Sequence, residues 1–282
     1  MAGTLYLCAT PIGNLEDITL RALRVLKEVD LIAAEDTRNS LRLLNYFGIR
    51  TPLTSYHEHN KIEKAYQLAE KLRMGQDIAL VTDAGTPGIS DPGEEMARIC
   101  YEMGLNVVAL PGAAACITAL TVSGQKTRRF AFEAFLPKDK KERALVLEEM
   151  KQDTRTLVVY ESPHRLFKTL KELYETLGNR SVTVCRELTK KFEEKRKMTL
   201  EEAAARYEKE EARGEFVLVI EGKSREEIKE EAQKSWLSVS LEEHMALYES
   251  KGFDSKSAMK AVAKDRGIGK REVYAGLLKK EE

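Results

Sequence analysis

Carboxylates, glycines and prolines crowd into one stretch, Asp83-Ala84-Gly85-Thr86-Pro87-Gly88-Ile89-Ser90-Asp91-Pro92-Gly93. Glycines admit positive φ or close approach to the backbone, and prolines fix φ and remove donors, so this loop should be stiff and open-faced. A phosphate cradle would want backbone donors and a lysine, but this loop has two aspartates and no lysine. Acceptors and carboxylates suit hydroxyls, an ammonium group or another cation, which favours a nucleoside ligand without phosphates over ATP or a dinucleotide. A second reading stays open: Asp91-Pro92-Gly93-Glu94 also has the form of a capping box, with Asp91 as N-cap, for a helix from Glu94 to Tyr101. That reading leaves Asp83, Gly85, Thr86 and Pro87 unexplained.

Other clusters share the same placement at strand ends. Thr10-Pro11-Ile12-Gly13-Asn14 follows an apolar strand, Thr4 to Ala9, and lacks the G-x-G-x-x-G fingerprint of dinucleotide binding. Glu35-Asp36-Thr37-Arg38 follows a strand at Leu31 to Ala34. Pro111-Gly112-Ala113 opens a helix running to Val122 with small residues, which leaves amide N–H groups available as donors or simply makes a tight turn. Glu161-Ser162-Pro163-His164-Arg165 pairs a capping serine and an N1 proline with two charges at a strand end, and Arg186-Glu187-Leu188-Thr189-Lys190 follows Val182 to Cys185. His57 and His59 are spaced to share a metal only with a third ligand from elsewhere, and no H-E-x-x-H pattern supports one.

The elements that must hold these loops alternate. Amphipathic helices at Leu20 to Glu28 (Leu20, Leu23 and Leu26 on one face), Asn39 to Phe47 and Lys61 to Arg73 separate the strands just named, a weak strand at Thr51 to Tyr56, a buried one at Asp77 to Val81 and another at Asn106 to Leu110. Residues 1–124 therefore read as a mostly parallel α/β domain, whose ligands belong beyond the carboxyl ends of its strands. Ser123 to Arg129 is a polar, basic break. Residues 125–223 read as a second α/β domain with a mixed sheet: strands Phe130 to Phe135, with alternating aromatics, Thr156 to Tyr160, Val182 to Cys185 and Glu215 to Glu221, and helices Lys138 to Lys151, Pro163 to Leu177 and Leu200 to Glu211. Ser224 to Lys234 is a charged connector or helix. Residues 235–282 hold three short helical runs, with Gly267-Ile268-Gly269 between the last two, in the order of a helix-turn-helix.

Composition sets limits on function. A chain of 282 residues with 43% hydrophobic and 33% charged residues describes a soluble globular protein. No apolar run nears the roughly 20 residues that span a bilayer, and the cytoplasm is the expected location. Cys8, Cys100, Cys116 and Cys185 lie singly in apolar runs, as reduced core residues do. With 46 basic and 46 acidic residues the total charge names no partner, but Lys251 to Lys280 holds nine basic residues against three acidic ones. Such an excess suits an anionic partner or a solvated helix face equally.

Taken together, the motifs at Thr10 to Leu15, Ala34 to Arg38, Asp83 to Gly93, Pro111-Gly112, Glu161 to Arg165 and Arg186 to Lys190 resemble the ribosomal small subunit methyltransferase I family, a branch of the tetrapyrrole methylases. The likeness runs through essentially the whole chain, including the basic C-terminal helices. It implies the two-domain tetrapyrrole-methylase-like α/β fold with a small helical appendage, usually as a homodimer. It also implies S-adenosylmethionine-dependent methylation of a cytidine ribose 2′-hydroxyl in the decoding region of 16S rRNA, with that rRNA, expected within the small ribosomal subunit, as the partner. One departure is that the family often has Pro-Gly-Pro where this chain has Pro111-Gly112-Ala113, a change expected to spare cofactor binding. On this reading Pro11, Asp83, Gly85, Asp91, Pro92, Gly112, Ala113 and Glu161 belong to the cofactor site and no metal is required. Glu35, Asp36, His57 and Glu187 are the candidate bases, a choice the sequence leaves open, and Arg38, Lys61, Arg165 and Lys190 are candidate phosphate or RNA contacts. The rival is a methyltransferase of a tetrapyrrole or another small molecule, which would need neither these cations nor the basic helices.

Overall fold

The computed structural model describes residues 1–278; the last four residues, which include Lys279 and Lys280 of the basic C-terminal run, lie outside the described residues. Contacts divide the chain into two compact units, one of residues 1–151 and 155–221, the other of residues 152–154 and 222–282.

The larger unit is built on two five-stranded sheets. In the first, β1 (Thr4–Cys8), β2 (Leu31–Ala34), β3 (Leu53–Ser55), β4 (Ile78–Val81) and β5 (Asn106–Leu110) lie in the order β3-β2-β4-β1-β5 and pair parallel throughout. Helices on both faces explain why β4 is buried along its whole length and reads as a continuous apolar run. These are α1 (Leu20–Glu28), α2 (Thr37–Tyr46), α3 (Lys61–Arg73) and α4 (Gly93–Glu102), whereas α5 (Ala115–Val122) packs Cys116, Ala119 and Leu120 against Val158, Val217 and Val219 of the second sheet. One core gathers Leu5, Leu68, Leu72, Ile78, Met96 and Ile99, and another gathers Leu26, Ile32, Leu44, Val81 and Leu110. Each such fully buried side chain is worth about 1.5–3 kcal/mol of transfer free energy.

Two helices differ from expectation. Leu26 of the leucine face is buried in α1 and Leu23 packs partly against the same core, but Leu20 is exposed and Ala22 and Val25 complete the buried face. α2 starts at Thr37, two residues early, because Asp36 caps it by accepting from the Arg38 N–H at 2.8 Å. It ends as expected, with Gly48 at φ 65° receiving the chain in the left-handed region.

The second sheet is mixed, with order β6-β7-β10-β8-β9. β6 (Phe130–Phe135) and β7 (Thr156–Glu161) pair parallel, while β8 (Ser181–Arg186), β9 (Glu194–Thr199) and β10 (Phe216–Ile220) pair antiparallel with their neighbours. Three helices, α6 (Lys140–Gln152), α7 (Pro163–Leu177) and α8 (Leu200–Lys209), complete this half, with α7 and α8 burying Leu166, Leu170, Leu173, Leu200 and Ala203 against it. The aromatic alternation in β6 does not continue to its end. A register shift between Phe132 and Ala134 turns Phe135 toward solvent and the site, with Ala134 at φ 49°.

The smaller unit contains α9 (Arg225–Ser235), α10 (Leu241–Ser250), α11 (Ser255–Arg266) and α12 (Lys270–Leu278). Residues 224–234 are thus helical, started by a capping box on Ser224 and Glu227. Met245, Ala258, Val262, Ala263 and Val273 form its core. Beside them the fully buried His244 stacks on Trp236 at 3.7 Å and bonds Asp265 at 3.3 Å, while its Nδ1 accepts from Arg266 at 3.2 Å. Burial holds the His244 pKa below its usual value against the opposing pull of Asp265. The α11 to α12 turn needs Gly267: its φ is 66°, and a Cβ there would lie 2.3 Å from Gln233 Nε2.

Candidate active site

The loops that leave the carboxyl ends of the first sheet are laced to one another. Thr10, just past β1, exchanges backbone hydrogen bonds with Gly85, past β4, at 2.9 and 3.1 Å. Thr86 Oγ1 donates to the Ala113 carbonyl, past β5, at 2.8 Å. Past β2, the Asp36 N–H donates to Asp83 Oδ1 at 3.2 Å and Glu35 Oε2 faces the Asp83 N–H at 3.5 Å. Four strand ends therefore act as one frame, which fixes side chains more tightly than any of these loops would alone.

Asp91 does not start a capping box. Helix α4 begins at Gly93, the residue before it is the buried Pro92, and Glu94 is exposed. The Asp91 carboxylate instead turns back on its own loop, accepting from the N–H groups of Gly88 (2.9 Å), Ile89 (3.3 Å) and Gly93 (2.7 Å). Gly88 at φ 85° and Ser90 at φ 69° give the loop the shape that this requires. The Pro92 carbonyl is held at 2.8 Å by the hydroxyl of Tyr56, a fully buried ring.

This frame and the facing ends of the second sheet enclose a cavity of about 410 Å³, within the size range of small-molecule sites. Glu35, Asp83, Asp91, Ser90 and the Gly85 backbone line one side. The other is formed by Phe135, Tyr160, Glu161, Glu215 and Val217, and Ile12, Ala114, Ala115 and Leu188 close it. Of the residues expected to hold a cofactor, Asp83, Gly85, Asp91 and Glu161 line this cavity. Pro11 lines a neighbouring cavity of about 330 Å³ that also touches Thr82 and Asp83. Pro92, Gly112 and Ala113 line neither. Gly112 has a packing reason to be glycine, since a Cβ there would sit 2.5 Å from the Ala9 Cβ. Of the amides expected to be available at the start of α5, that of Cys116 donates to the Tyr160 hydroxyl at 2.9 Å.

The four candidate bases have different surroundings. Glu35 is half-buried and lines the cavity; burial pushes its pKa above the ordinary carboxylate value, the Asp83 N–H opposes, and the Asp83, Asp91 and Asp36 carboxylates push it up further. Asp36 is tied to Arg38 by side-chain bonds at 2.8 and 3.1 Å, and these hold its pKa down at about 2. Burial would raise Glu187, but the Glu215 N–H and the Lys190 ammonium, at 2.9 and 3.0 Å, bring it below its usual value. His57 lines neither cavity, and its Nδ1 is buried without a partner. The His59 ring meets it edge-on at 5.9 Å, and among the described residues no group of three or more His, Cys, Asp and Glu is placed to hold a metal ion.

The four candidate cations are all engaged within the chain. Arg38 pairs with Asp36, Lys61 with Glu58 at 2.6 Å, and Lys190 with Glu187 and Glu215. Arg165 lies 3.6 Å from Glu161 and donates to the Leu136 carbonyl at 2.8 Å. Glu161 itself is buried; it accepts from the Ser162 N–H at 2.8 Å and from Thr169 Oγ1 at 2.6 Å, and Thr169 accepts in turn from Arg143 at 2.8 Å. The Ser162 hydroxyl, expected to cap α7, makes no cap bond and points to Glu161 at 3.4 Å. Tyr160, Phe135 and Glu215 are lining residues not singled out from sequence. Their signal is positional: each lies at the end of a strand facing the site.

A family model described as tetrapyrrole (corrin/porphyrin) methylases matches residues 4–204. The chain is 52% identical to a ribosomal RNA small subunit methyltransferase I of Halalkalibacterium halodurans, over 96% of this chain and 93% of that one. It is 49% identical to the protein of the same name from Bacillus subtilis, over the same shares. A crystal structure of a Thermus thermophilus uroporphyrin-III C-methyltransferase complexed with S-adenosylhomocysteine superposes with a TM-score of 0.55 at 22% identity, covering 78% of this chain and 97% of that one, a likeness of fold. With its laced strand-end loops, its pair of sheets and these matches along most of its length, the chain belongs to the ribosomal RNA small subunit methyltransferase I family of the tetrapyrrole methylases.

Proposed function

We propose that the protein methylates RNA of the small ribosomal subunit with S-adenosylmethionine as donor, and that the acceptor is the 2′-hydroxyl of a cytidine ribose in the decoding region of 16S rRNA. The observation that carries the reading is the acceptor-rich cavity of Glu35, Asp83 and Asp91 in a chain half identical to methyltransferases named for the small subunit RNA. When bound, S-adenosylmethionine supplies a methyl group on a cationic sulfur. The donor set fits such a ligand: carboxylates and carbonyls favour a cation, the Gly85 backbone at φ 87° leaves room for close approach, and Ile12, Ile89, Phe135 and Val217 offer apolar walls to a purine. Asp83 and Ser90 would take hydroxyl or ammonium groups, while Asp91 holds the loop in shape.

A ribose hydroxyl is a weak nucleophile, so a positioned base adds about 10²–10⁴-fold. Glu35 is the residue we assign to that role, because it is the candidate that both lines the cavity and has a pKa raised toward neutrality. Alignment of the acceptor by the framed loops supplies the rest of the advantage expected for an in-line displacement. The same acidic lining, with Glu161 and Glu215 opposite, repels a tetrapyrrole bearing carboxylate side chains. We expect the protein to act as a homodimer on the assembled subunit.

The test is transfer of labelled methyl from S-adenosylmethionine to small subunits from cells lacking the endogenous enzyme, with naked rRNA and a tetrapyrrole precursor in parallel. Label mapping to a 2′-O-methylcytidine supports the reading; label confined to the tetrapyrrole overturns it. S-adenosylhomocysteine at 100 times its Kd should also raise stability by about 2.7 kcal/mol through mass action.

A further inference from the structure

The neighbouring cavity of about 330 Å³ lies across Thr82 and Asp83 from the first, and those two residues line both. Its remaining walls come from the loop after β1 and from one face of α2, which contributes Asn39, Arg42, Leu43 and Tyr46. Tyr46 is 69% exposed, with one edge of its ring on Phe47 at 4.9 Å. Arg42 is exposed and, among the described residues, pairs with no carboxylate, unlike Arg38, Lys61, Arg165 and Lys190.

An open aromatic face, an uncommitted guanidinium, a side-chain amide and an apolar floor are the groups that recognise an unstacked nucleotide: base on ring, phosphate on guanidinium, base edge or hydroxyl on amide. A polycarboxylate ligand would ask for several cations, and this cavity offers one. An enzyme acting on a ribose within a chain must also seat that nucleotide away from its stacked neighbours, beside the donor and not in the donor's place. We infer that the second cavity holds the acceptor nucleotide of a single-stranded RNA segment, with its base against Tyr46, its phosphate on Arg42 and its ribose directed at Asp83 and the cavity beyond. This rests on the RNA methyltransferase reading and assigns its acceptor subsite.

Arg42→Ala and Tyr46→Ala test it, since both side chains are exposed and their loss should leave the thermal melt unchanged; Lys27→Ala on the solvent side of α1 is the control. With small ribosomal subunits as substrate, each should raise KM about tenfold, the size of one lost stacking or phosphate contact. S-adenosylhomocysteine affinity measured by calorimetry should not move, and Tyr46→Phe should restore KM. A second arm needs no cofactor: binding of a short cytidine-containing oligoribonucleotide, followed by fluorescence anisotropy, should weaken by a similar factor in both variants. Unsubstituted protein that methylates subunits while both variants match it within twofold overturns the assignment. Protein that methylates no RNA sinks the functional reading instead, and the oligoribonucleotide arm then decides: weaker binding by the variants upholds the subsite, whereas equal binding, or none by the unsubstituted protein, overturns it.

Discussion

The two sides of the candidate active site use carboxylates in opposite ways. On the first-sheet side, among the described residues, Glu35 and Asp83 accept hydrogen bonds from loop amides and not from a cation, Arg38 being bonded to Asp36, and burial with the neighbouring carboxylates holds Glu35 above its ordinary pKa. On the second-sheet side, Glu161 is buried and satisfied by Ser162, Thr169 and the nearby Arg165, and Glu187 and Glu215 share Lys190. Charge left without a cation is costly unless the site uses it, whereas paired charge serves as framework. The contrast agrees with the proposed assignment, in which the parallel sheet supplies reactivity and the mixed sheet supplies a wall.

The largest effect should come from Glu35→Gln. Methyl transfer to subunits should fall by about 10²–10⁴-fold, while binding of S-adenosylhomocysteine persists. The same change should alter stability with pH in a defined direction. A raised folded pKa means that the native state binds the proton more tightly, so Glu35 favours folding below the ordinary glutamate pKa, and that contribution is lost as pH rises through the raised value. The variant should therefore melt higher than the unsubstituted protein at pH 7 to 8 and lose that advantage in acid. In the unsubstituted enzyme kcat should rise with pH as Glu35 deprotonates, and an unchanged kcat in the variant would remove Glu35 from the mechanism. Next in size, Glu161→Gln should cost about 3 kcal/mol of stability, because Thr169 and the Ser162 N–H lose a buried carboxylate acceptor and Arg165 loses its ion partner. Denaturant unfolding would show it. A variant as stable as its parent but inactive would break the comparison, by moving Glu161 from framework to chemistry. Gly112→Ala follows, at about 1–3 kcal/mol from the clash with Ala9; a loss of cofactor affinity without a loss of stability would return Gly112 to the ligand.

Much of the first sheet was legible because a buried parallel strand must be a continuous apolar run: Leu31–Ala34 and Ile78–Val81 announce themselves, and so do the loops of Gly, Pro and Asp that follow such runs. β9, Glu-Lys-Arg-Lys-Met-Thr, did not. As an edge strand it pairs on one side only, and its charges guard the open edge, so it carries no hydrophobic period to read. The β6 bulge that exposes Phe135 is equally silent, since one extra residue leaves composition unchanged. In the site, sequence could nominate Asp83 and Glu35 by their places at strand ends. It could not assign Asp91 to three loop amides, Gly112 to Ala9 or Arg38 to Asp36, because each pairing is set by how the chain closes on itself.

That last pairing yields the smallest prediction and the finest test of the contrast. Arg38 and Lys61 sit on the first-sheet side, each with a carboxylate two or three residues away, and the Arg38 side chain is 86% exposed. Exposed pairs of this kind contribute little to stability, so Arg38→Gln and Lys61→Gln should barely move the melting temperature. Without Arg38, Asp36 would lose the contacts that depress its pKa, and its titration should move up toward the ordinary aspartate value. If either cation leaves its carboxylate for an RNA phosphate, its removal should also lower the slope of log K against log salt for RNA binding by about 1. If the slope holds for both variants while it falls for Arg42→Ala, the phosphate contact on this side belongs to Arg42, and Arg38 and Lys61 are framework like the cations opposite them.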